Sequence, residues 1–300
     1  MSDFQSFDQL LTYCQERQNS IWQAALTQEV EDSGRTEEAI LNGIHQLVAQ
    51  MRATIESGIA SDDPSMSGLS GGDAKRMMAF LQDSNCVLSP LNIRMMAYGL
   101  ATLEENSRMR KIVACPTAGG SGSVPAVLIA LEDEQKVSRE KTVSGLITAG
   151  CIGEIVSKRM HLSGAAAGCQ AEVGVASGMA AGAMVEMLGG SPQQVLHAAA
   201  ISMQNLMGLV CDPVAGLVEV PCVVRNGLSG VQAAAAATMA LAGVKSFIPI
   251  DEVVDAMAEI GKLMPRQLKE SADGGLAQTP TARAFTNRFF QMSNKASNLY

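Results

Sequence analysis

The run Gln170-Ala171-Glu172-Val173-Gly174-Val175-Ala176-Ser177-Gly178-Met179-Ala180-Ala181-Gly182-Ala183-Met184-Val185-Glu186-Met187-Leu188 decides the fold. It has no proline, and Gly174, Gly178 and Gly182 recur four apart, so a helix here carries its glycines on one face. A face without Cβ atoms lets another helix approach closely. Gly189-Gly190 ends the run, and Ser191-Pro192-Gln193-Gln194 starts the next helix with a capping-box pattern reaching to about Met207.

Helical spacing repeats on both sides. Upstream, Phe4, Phe7, Leu10, Leu11 and Cys14 recur at that period, followed by Ile21, Ala25 and Val30, with Glu31–Arg35 a polar turn. Thr36 reads as an N-cap before Glu37-Glu38, and Ile40, Ile44, Leu47, Val48, Met51 and Ile55 form a stripe ending at Gly58. Ser61–Gly72 is the longest break, a candidate hinge or site loop. Helices are expected over Asp73–Leu81, from Ser89-Pro90 to about Met109, and over Pro125–Leu131 and Ser138–Lys158. Downstream, Leu228–Val244 is helical by alanine propensity, and Asp251 caps an amphipathic helix through Met264. The tail after Pro265 is polar and poorly patterned. The fold class expected is all-α, with residues 1–60 as a helical segment packing on a core domain of residues 61–300.

Composition agrees. Of 300 residues 47% are hydrophobic but only 4% aromatic, with 28 glycines and 18 methionines, which suits closely packed helices better than a β-sandwich. The net charge is −8, and no basic cluster exceeds Lys75-Arg76, Arg108–Lys111 or Lys158-Arg159, so nucleic acid is not an expected partner. Met1–Leu11 is polar and acidic, unlike a secretory signal, and a cytoplasmic location is expected. Asn226–Val244 is uncharged, but its alanines, glycines, Ser229 and Gln232 favour a buried soluble helix over a membrane span.

Seven cysteines in such a chain are expected to be reduced thiols, metal ligands or catalytic groups. Three stand in unusual settings: Gly168-Cys169-Gln170, Cys211-Asp212-Pro213 and Pro221-Cys222. Cys169 adjoins a helix N-terminus, whose free N–H groups stabilise a thiolate. Without a CxxC pair the three read equally as buried core thiols, and the flanking prolines, which suit a rigid loop, favour ligation. Cys14, Cys86 and Cys151 read as core thiols, and Cys115 is ambiguous. The loop Pro116-Thr117-Ala118-Gly119-Gly120-Ser121-Gly122-Ser123 precedes a helix start and offers backbone N–H groups to an anion, although it reads equally as a flexible turn. It is neither a Walker A nor a Rossmann fingerprint. His45 and His197 fall within helices; His161 lies in the connection before Cys169.

Ser163-Gly164, Gly168-Cys169-Gln170-Ala171-Glu172-Val173-Gly174, Gly208-Leu209-Val210-Cys211-Asp212-Pro213-Val214 and Pro221-Cys222 with Arg225-Asn226 resemble the bacterial iron–sulfur L-serine dehydratases. So do Ser67-Gly68-Leu69, Gly71-Gly72-Asp73-Ala74 and Pro116-Thr117-Ala118-Gly119 with Gly122. The resemblance implies an α chain with a [4Fe–4S] cluster on Cys169, Cys211 and Cys222, deaminating L-serine to pyruvate and ammonia without pyridoxal phosphate. In its light the glycine loop becomes a substrate-carboxylate site. Thr117, Ser121 and Ser163 become catalytic hydroxyls, and Gly119, Gly120, Gly122, Gly164 and Asn226 become substrate contacts. Lys111, Glu172 and Arg225 are further candidates to line it.

Single-chain relatives of that kind add a domain with an SSSHT-type loop, and some place a C-terminal cysteine in the site. This sequence has no such loop, which implies a separate β subunit, and it closes Asn298-Leu299-Tyr300, which leaves the fourth ligand at rest open to water, substrate or a partner group; a higher oligomer is expected. Two other readings keep the thiols: a desulfidase acting on cysteine with the same cluster, and a non-enzymatic iron–sulfur sensor, which has no use for an anion cradle.

Overall fold

The computed structural model describes residues 4–83, 85–135 and 137–297. The terminal Asn298-Leu299-Tyr300 lies outside them. The helices are α1 (Phe7–Arg17), α2 (Ile21–Ser33), α3 (Glu37–Ala60), α4 (Asp73–Ala79), α5 (Pro90–Ser107), α6 (Ser123–Gln135) and α7 (Arg139–Arg159). They continue with α8 (Gly164–Ala167), α9 (Val175–Met187), α10 (Pro192–Asn205), α11 (Cys222–Leu241), α12 (Ile250–Leu263) and α13 (Pro280–Ser297). Among the described residues the only β pairing is an isolated parallel bridge between Cys211 and Lys269. The fold is all-α.

Helix α9 is the hub. Every residue from Val175 to Met187 is buried, as suits a helix apolar but for Ser177 and Glu186, and α6, α7, α10 and α11 pack around it. The glycine face works as the spacing predicts at two of its three positions. A Cβ on Gly178 would lie 2.5 Å from Met203 Cε of α10, and one on Gly182 would lie 2.3 Å from Ile152 Cδ1 of α7. At Gly174 the nearest neighbour would be 3.5 Å away, an ordinary contact. The same core takes in Phe7 and Leu10 of α1 and Val48, Met51 and Ile55 of α3.

Side chains distant in sequence cap several helix starts. Asp251 accepts from the backbone N–H of Phe7 (3.2 Å) and Asp8 (3.1 Å) at the head of α1. Glu186 of α9 accepts from Trp22 N–H (3.4 Å) in the first turn of α2 and from the Thr148 hydroxyl (3.0 Å). Glu104 accepts from Asp73 N–H (2.6 Å) at α4. Each places a carboxylate against the positive end of a helix dipole, where otherwise unpaired N–H groups point.

Four boundaries differ from the sequence reading. Helix α6 starts at Ser123, with Pro125 in its first turn, where a missing N–H costs no hydrogen bond. Helix α11 starts at Cys222 rather than Leu228, so Cys222 joins Cys169 at a helix start instead of sharing a loop with Cys211. Pro249, not Asp251, precedes α12, and Asp251 serves α1 instead. The tail after Pro265 forms two short 3-10 turns and then α13, announced by Thr279-Pro280, the same type of start as Ser89-Pro90. Helix α13 leans on the short turns at Val214–Gly216 and Gly275–Gln278. No helix of the described residues is long and apolar enough to cross a membrane.

Candidate active site at three thiols

Three segments converge on the thiols. After α8 the chain turns through Gly168, at φ +78°, a conformation glycine adopts without Cβ strain, and presents Cys169. The next five residues, Gln170–Gly174, form a π-helical turn before α9, a widening often found at functional sites. Gln170 holds it there: its backbone N–H donates to Leu209 O (2.9 Å), and its side-chain amide bonds Ala167 O, Met257 O and Gly208 N–H. That residue thus ties the Cys169 segment to the loop bearing Cys211.

The Cys211 loop is fixed from its other side. Cys211 N–H donates to Leu268 O (2.8 Å), and Cys211 O accepts from Glu270 N–H (2.7 Å). Glu270 is a non-glycine residue at φ +57°, and such backbone outliers gather at functional sites. Asp212 is buried. It receives Arg225 Nη2 (3.0 Å) and Leu276 N–H (2.8 Å), while Arg225 Nη1 reaches Val210 O (2.8 Å).

The thiols are free and buried. The Cys211 thiol donates to Cys169, which draws the Cys169 pKa below its ordinary value, and the Arg225 guanidinium adds to that against the cost of burial. Cys211 is correspondingly pushed up, because its proton is held by the Cys169 sulfur. Cys222 is pushed up to about 12, chiefly by burial and next by the negative charge on Cys169. Val173, Leu206 and Leu209 pack an apolar wall on Cys169 and Cys211. Among the described residues, no group of three or more His, Cys, Asp or Glu side chains is arranged to hold a single metal ion.

The glycine loop reaches these thiols through Glu172. The Thr117 hydroxyl donates to Glu172 Oε1 (2.8 Å), and Gly164 N–H at the head of α8 donates to the same carboxylate. A Cβ on Gly119 would lie 2.9 Å from both Glu172 oxygens. One on Gly164 would lie 2.7 Å from Glu172 Oε2 and 2.8 Å from Cys211 Sγ. These glycines are required because a carboxylate and a sulfur occupy the space a side chain would take. Burial raises the Glu172 pKa.

The other residues of the sequence reading fall as follows. Ser121 is fully buried and its hydroxyl donates to Ala118 O (2.7 Å), bracing the loop from within. Asn226 is fully buried too, accepting from Gly122 N–H (2.9 Å) and donating to Gly119 O (2.7 Å) and Cys222 O (3.0 Å), so it locks the loop to the Cys222 helix. A Cβ on Gly120 would lie 2.7 Å from Glu172 O. Ser163 is exposed and caps α8 by accepting from Ala166 N–H (3.3 Å). Lys111 is exposed, and its carbonyl accepts from the Thr54 hydroxyl (3.0 Å). His161 is exposed and lines a cleft of 290 Å³ between the end of α7 and α12. A cavity of 560 Å³ between α2, α3 and α7 contains none of the three thiols, so cavity size does not locate this chemistry. Sequence reasoning missed the bracing role of Gln170 and the place of Glu270. Gln170 follows Cys169 directly, which is a usable signal; Glu270 has none.

Comparison with known proteins points the same way. The serine dehydratase alpha chain family matches over residues 16–277. The probable L-serine dehydratase, alpha chain, of Bacillus subtilis (strain 168) is 44% identical over 287 residues, covering 96% of this chain and 95% of that protein. The L-serine dehydratase, alpha chain, of Peptoniphilus asaccharolyticus is 39% identical over 283 residues, 94% of this chain and 97% of that one. L-serine dehydratase 1 of Escherichia coli (strain K12) is 37% identical over 283 residues, 91% of this chain but 61% of that protein. This chain belongs to the serine dehydratase alpha chain family.

Proposed function

We propose that this chain is the cluster-bearing α chain of an L-serine dehydratase, a lyase that converts L-serine to pyruvate and ammonia. The observation that carries the reading is the convergence of a hydrogen-bonded thiol pair, Cys169 and Cys211, with the Thr117–Gly122 loop at one buried carboxylate, Glu172. Family membership and the names of the relatives support it.

Three thiols, with the Cys169 pKa drawn down by the hydrogen bond from Cys211, suit a soft multinuclear centre better than a single hard cation, so Cys169, Cys211 and Cys222 would hold a [4Fe–4S] cluster. When bound, such a cluster supplies a Lewis-acidic iron with a free coordination position for a hydroxyl leaving group. The protein's own groups do the rest. Arg225 and Gln170 fix the ligand segments. Asn226 and Ser121 hold the shape of the glycine loop, and Thr117 stands at its mouth beside Glu172. The substrate carboxylate is assigned to this loop and to the Ser163-Gly164 turn, whose Gly164 N–H meets the Glu172 carboxylate in the structure. Loss of the Cα proton and the β-hydroxyl gives an enamine, whose imine tautomer takes up water to yield pyruvate and ammonia. Net, serine equals pyruvate plus ammonia, with the water released then consumed.

A separate β subunit would supply the SSSHT-type loop and complete the site. The chain spans 61% of L-serine dehydratase 1 of Escherichia coli, which leaves room there for such a segment. The test is anaerobic reconstitution with iron and sulfide in the presence of the partner chain. The expected result is iron–sulfur absorbance perturbed by L-serine, with pyruvate formed. A colourless, iron-free preparation that turns serine over at full rate would overturn the reading, and faster turnover of cysteine would reassign the substrate.

A further inference from the structure

The Ser61–Gly72 break plays no part in the site described above, although Ser67-Gly68-Leu69 and Gly71-Gly72-Asp73-Ala74 are among the motifs the sequence singles out. It is a braced turn. Ser65 is buried, and its hydroxyl accepts from Gly68 N–H (3.2 Å) and Ser70 N–H (3.4 Å). Its own N–H donates to Ser70 O (2.8 Å). Asp63 O accepts from both Nε (2.9 Å) and Nη2 (2.6 Å) of Arg108, just after α5. Gly71, at φ +135°, passes so close to that carbonyl that a Cβ would lie 2.4 Å from it.

So held, the turn presents Ser70 to a residue 149 positions along the chain, and the Ser70 hydroxyl donates to Glu219 Oε2 (2.9 Å). Glu219 is buried, and the neighbouring guanidinium of Arg225 pairs with Asp212 instead. Glu219 leads into Pro221-Cys222. Its carbonyl accepts from the N–H of Val223 (2.8 Å), the residue after Cys222, and so closes the first turn of α11. Val223 in turn packs on Ala74 of α4 and on Leu100, Ala101 and Leu103 of α5. Both ends of the motif therefore bear on the start of α11.

We infer that Ser70 and Glu219 are positioning residues for Cys222, and that the turn at residues 65–72 fixes where α11 begins. A carboxylate shut away from water is costly to leave without a donor. Without the Ser70 hydroxyl, Glu219 turns out to water, and the carbonyl that starts α11 moves with it. The other thiols have their own anchors, Gln170 for the Cys169 segment and Leu268 and Glu270 for Cys211. Asn226 holds Cys222 O from within α11 (3.0 Å); Ser70 and Glu219 fix the side from which the chain enters. The purpose of this placement rests on Cys222 being a cluster ligand; the placement itself does not.

The test is labelling of the iron-free, natively folded chain with N-ethylmaleimide, each cysteine being followed by mass spectrometry. Ser70→Ala is expected to speed modification of Cys222 about tenfold or more, the scale of one lost hydrogen bond to a charged group, with Cys151 of α7 unchanged. Ser70→Thr, which keeps the hydroxyl, should label at the wild-type rate. Glu219→Ala should match Ser70→Ala and serves in its place should that variant not fold. The double variant should be no faster than either single one, because both remove the same bond. Unchanged labelling of Cys222 overturns the inference, as do additive effects in the double variant. Equal acceleration at Cys151 also overturns it, because Ser70 then serves only the fold as a whole. After reconstitution with iron and sulfide, the alanine variants should yield iron to a chelator faster than the wild type. A wild type that takes up no iron would sink the cluster reading alone, and selective labelling of Cys222 would still support its placement by Ser70.

Discussion

The Thr117 hydroxyl stands 2.8 Å from Glu172 Oε1 and donates to it, joining the glycine loop to the segment that begins at Cys169. Gly164 N–H meets the same carboxylate. One buried acid therefore joins the glycine loop to the Gly164 and Cys169 segments, 55 residues along the chain from Thr117 to Glu172.

Removing the hydroxyl leaves a buried acceptor short of a donor, which costs about 1–3 kcal/mol. Thr117→Val is expected to lower unfolding free energy by that order in urea titration and to weaken serine turnover roughly tenfold or more. Thr117→Ser, which keeps the donor, should recover most of both. If valine and serine behave alike, the hydroxyl is not what matters at this position.

The glycines around Glu172 are the next test. Gly164→Ala would press a methyl group within 2.7 Å of Glu172 Oε2 and 2.8 Å of Cys211 Sγ. Overpacking of this kind costs about 1–3 kcal/mol, and here it also displaces a thiol. Lower stability and impaired iron loading are both expected. At Gly43, inside α3, a methyl group would meet nothing within 4 Å, so Gly43→Ala should stabilise the fold by about 0.5–1 kcal/mol through helix propensity.

The cysteines should separate into two classes. Substituting Cys169, Cys211 or Cys222 by serine is expected to abolish or strongly lower bound iron after anaerobic reconstitution. Cys115 and Cys151, whose thiols burial pushes up to about 12, should tolerate alanine with iron content unchanged. Equal iron loss across all five would point to unfolding rather than ligation.

Glu186 gives stability a pH dependence. Burial raises its pKa above 4.5 in the folded protein, so the folded state holds the proton more tightly than the unfolded one. The resulting stabilisation is complete below about pH 4.5 and is lost as pH rises through the folded-state pKa. Glu186→Gln removes that slope while keeping an acceptor for Trp22 N–H and Thr148. Urea midpoints of the two proteins should therefore converge toward low pH relative to their separation above the folded pKa; parallel profiles would remove Glu186 as the source.

By itself the sequence determined the helices and the ligand candidates. Thr36, Ser89-Pro90 and Ser191 start helices through contacts within four residues, and their caps form as the spacing demands. The glycine period of α9 named the central helix because close packing needs a missing Cβ, and Gly178 and Gly182 supply it. The cysteine and glycine motifs pointed to one site for the same reason: their chemistry is local. Tertiary structure alone decided which carboxylate serves which helix. Asp251 reads as a cap for its own helix, yet it binds Phe7 and Asp8, and Glu186 reaches back to Trp22. Glu172 reads only as one of several candidates to line the site and becomes the acid on which Thr117 and Gly164 meet. A carboxylate seeks the nearest unpaired N–H in space, and packing, not chain order, determines which helix start that is.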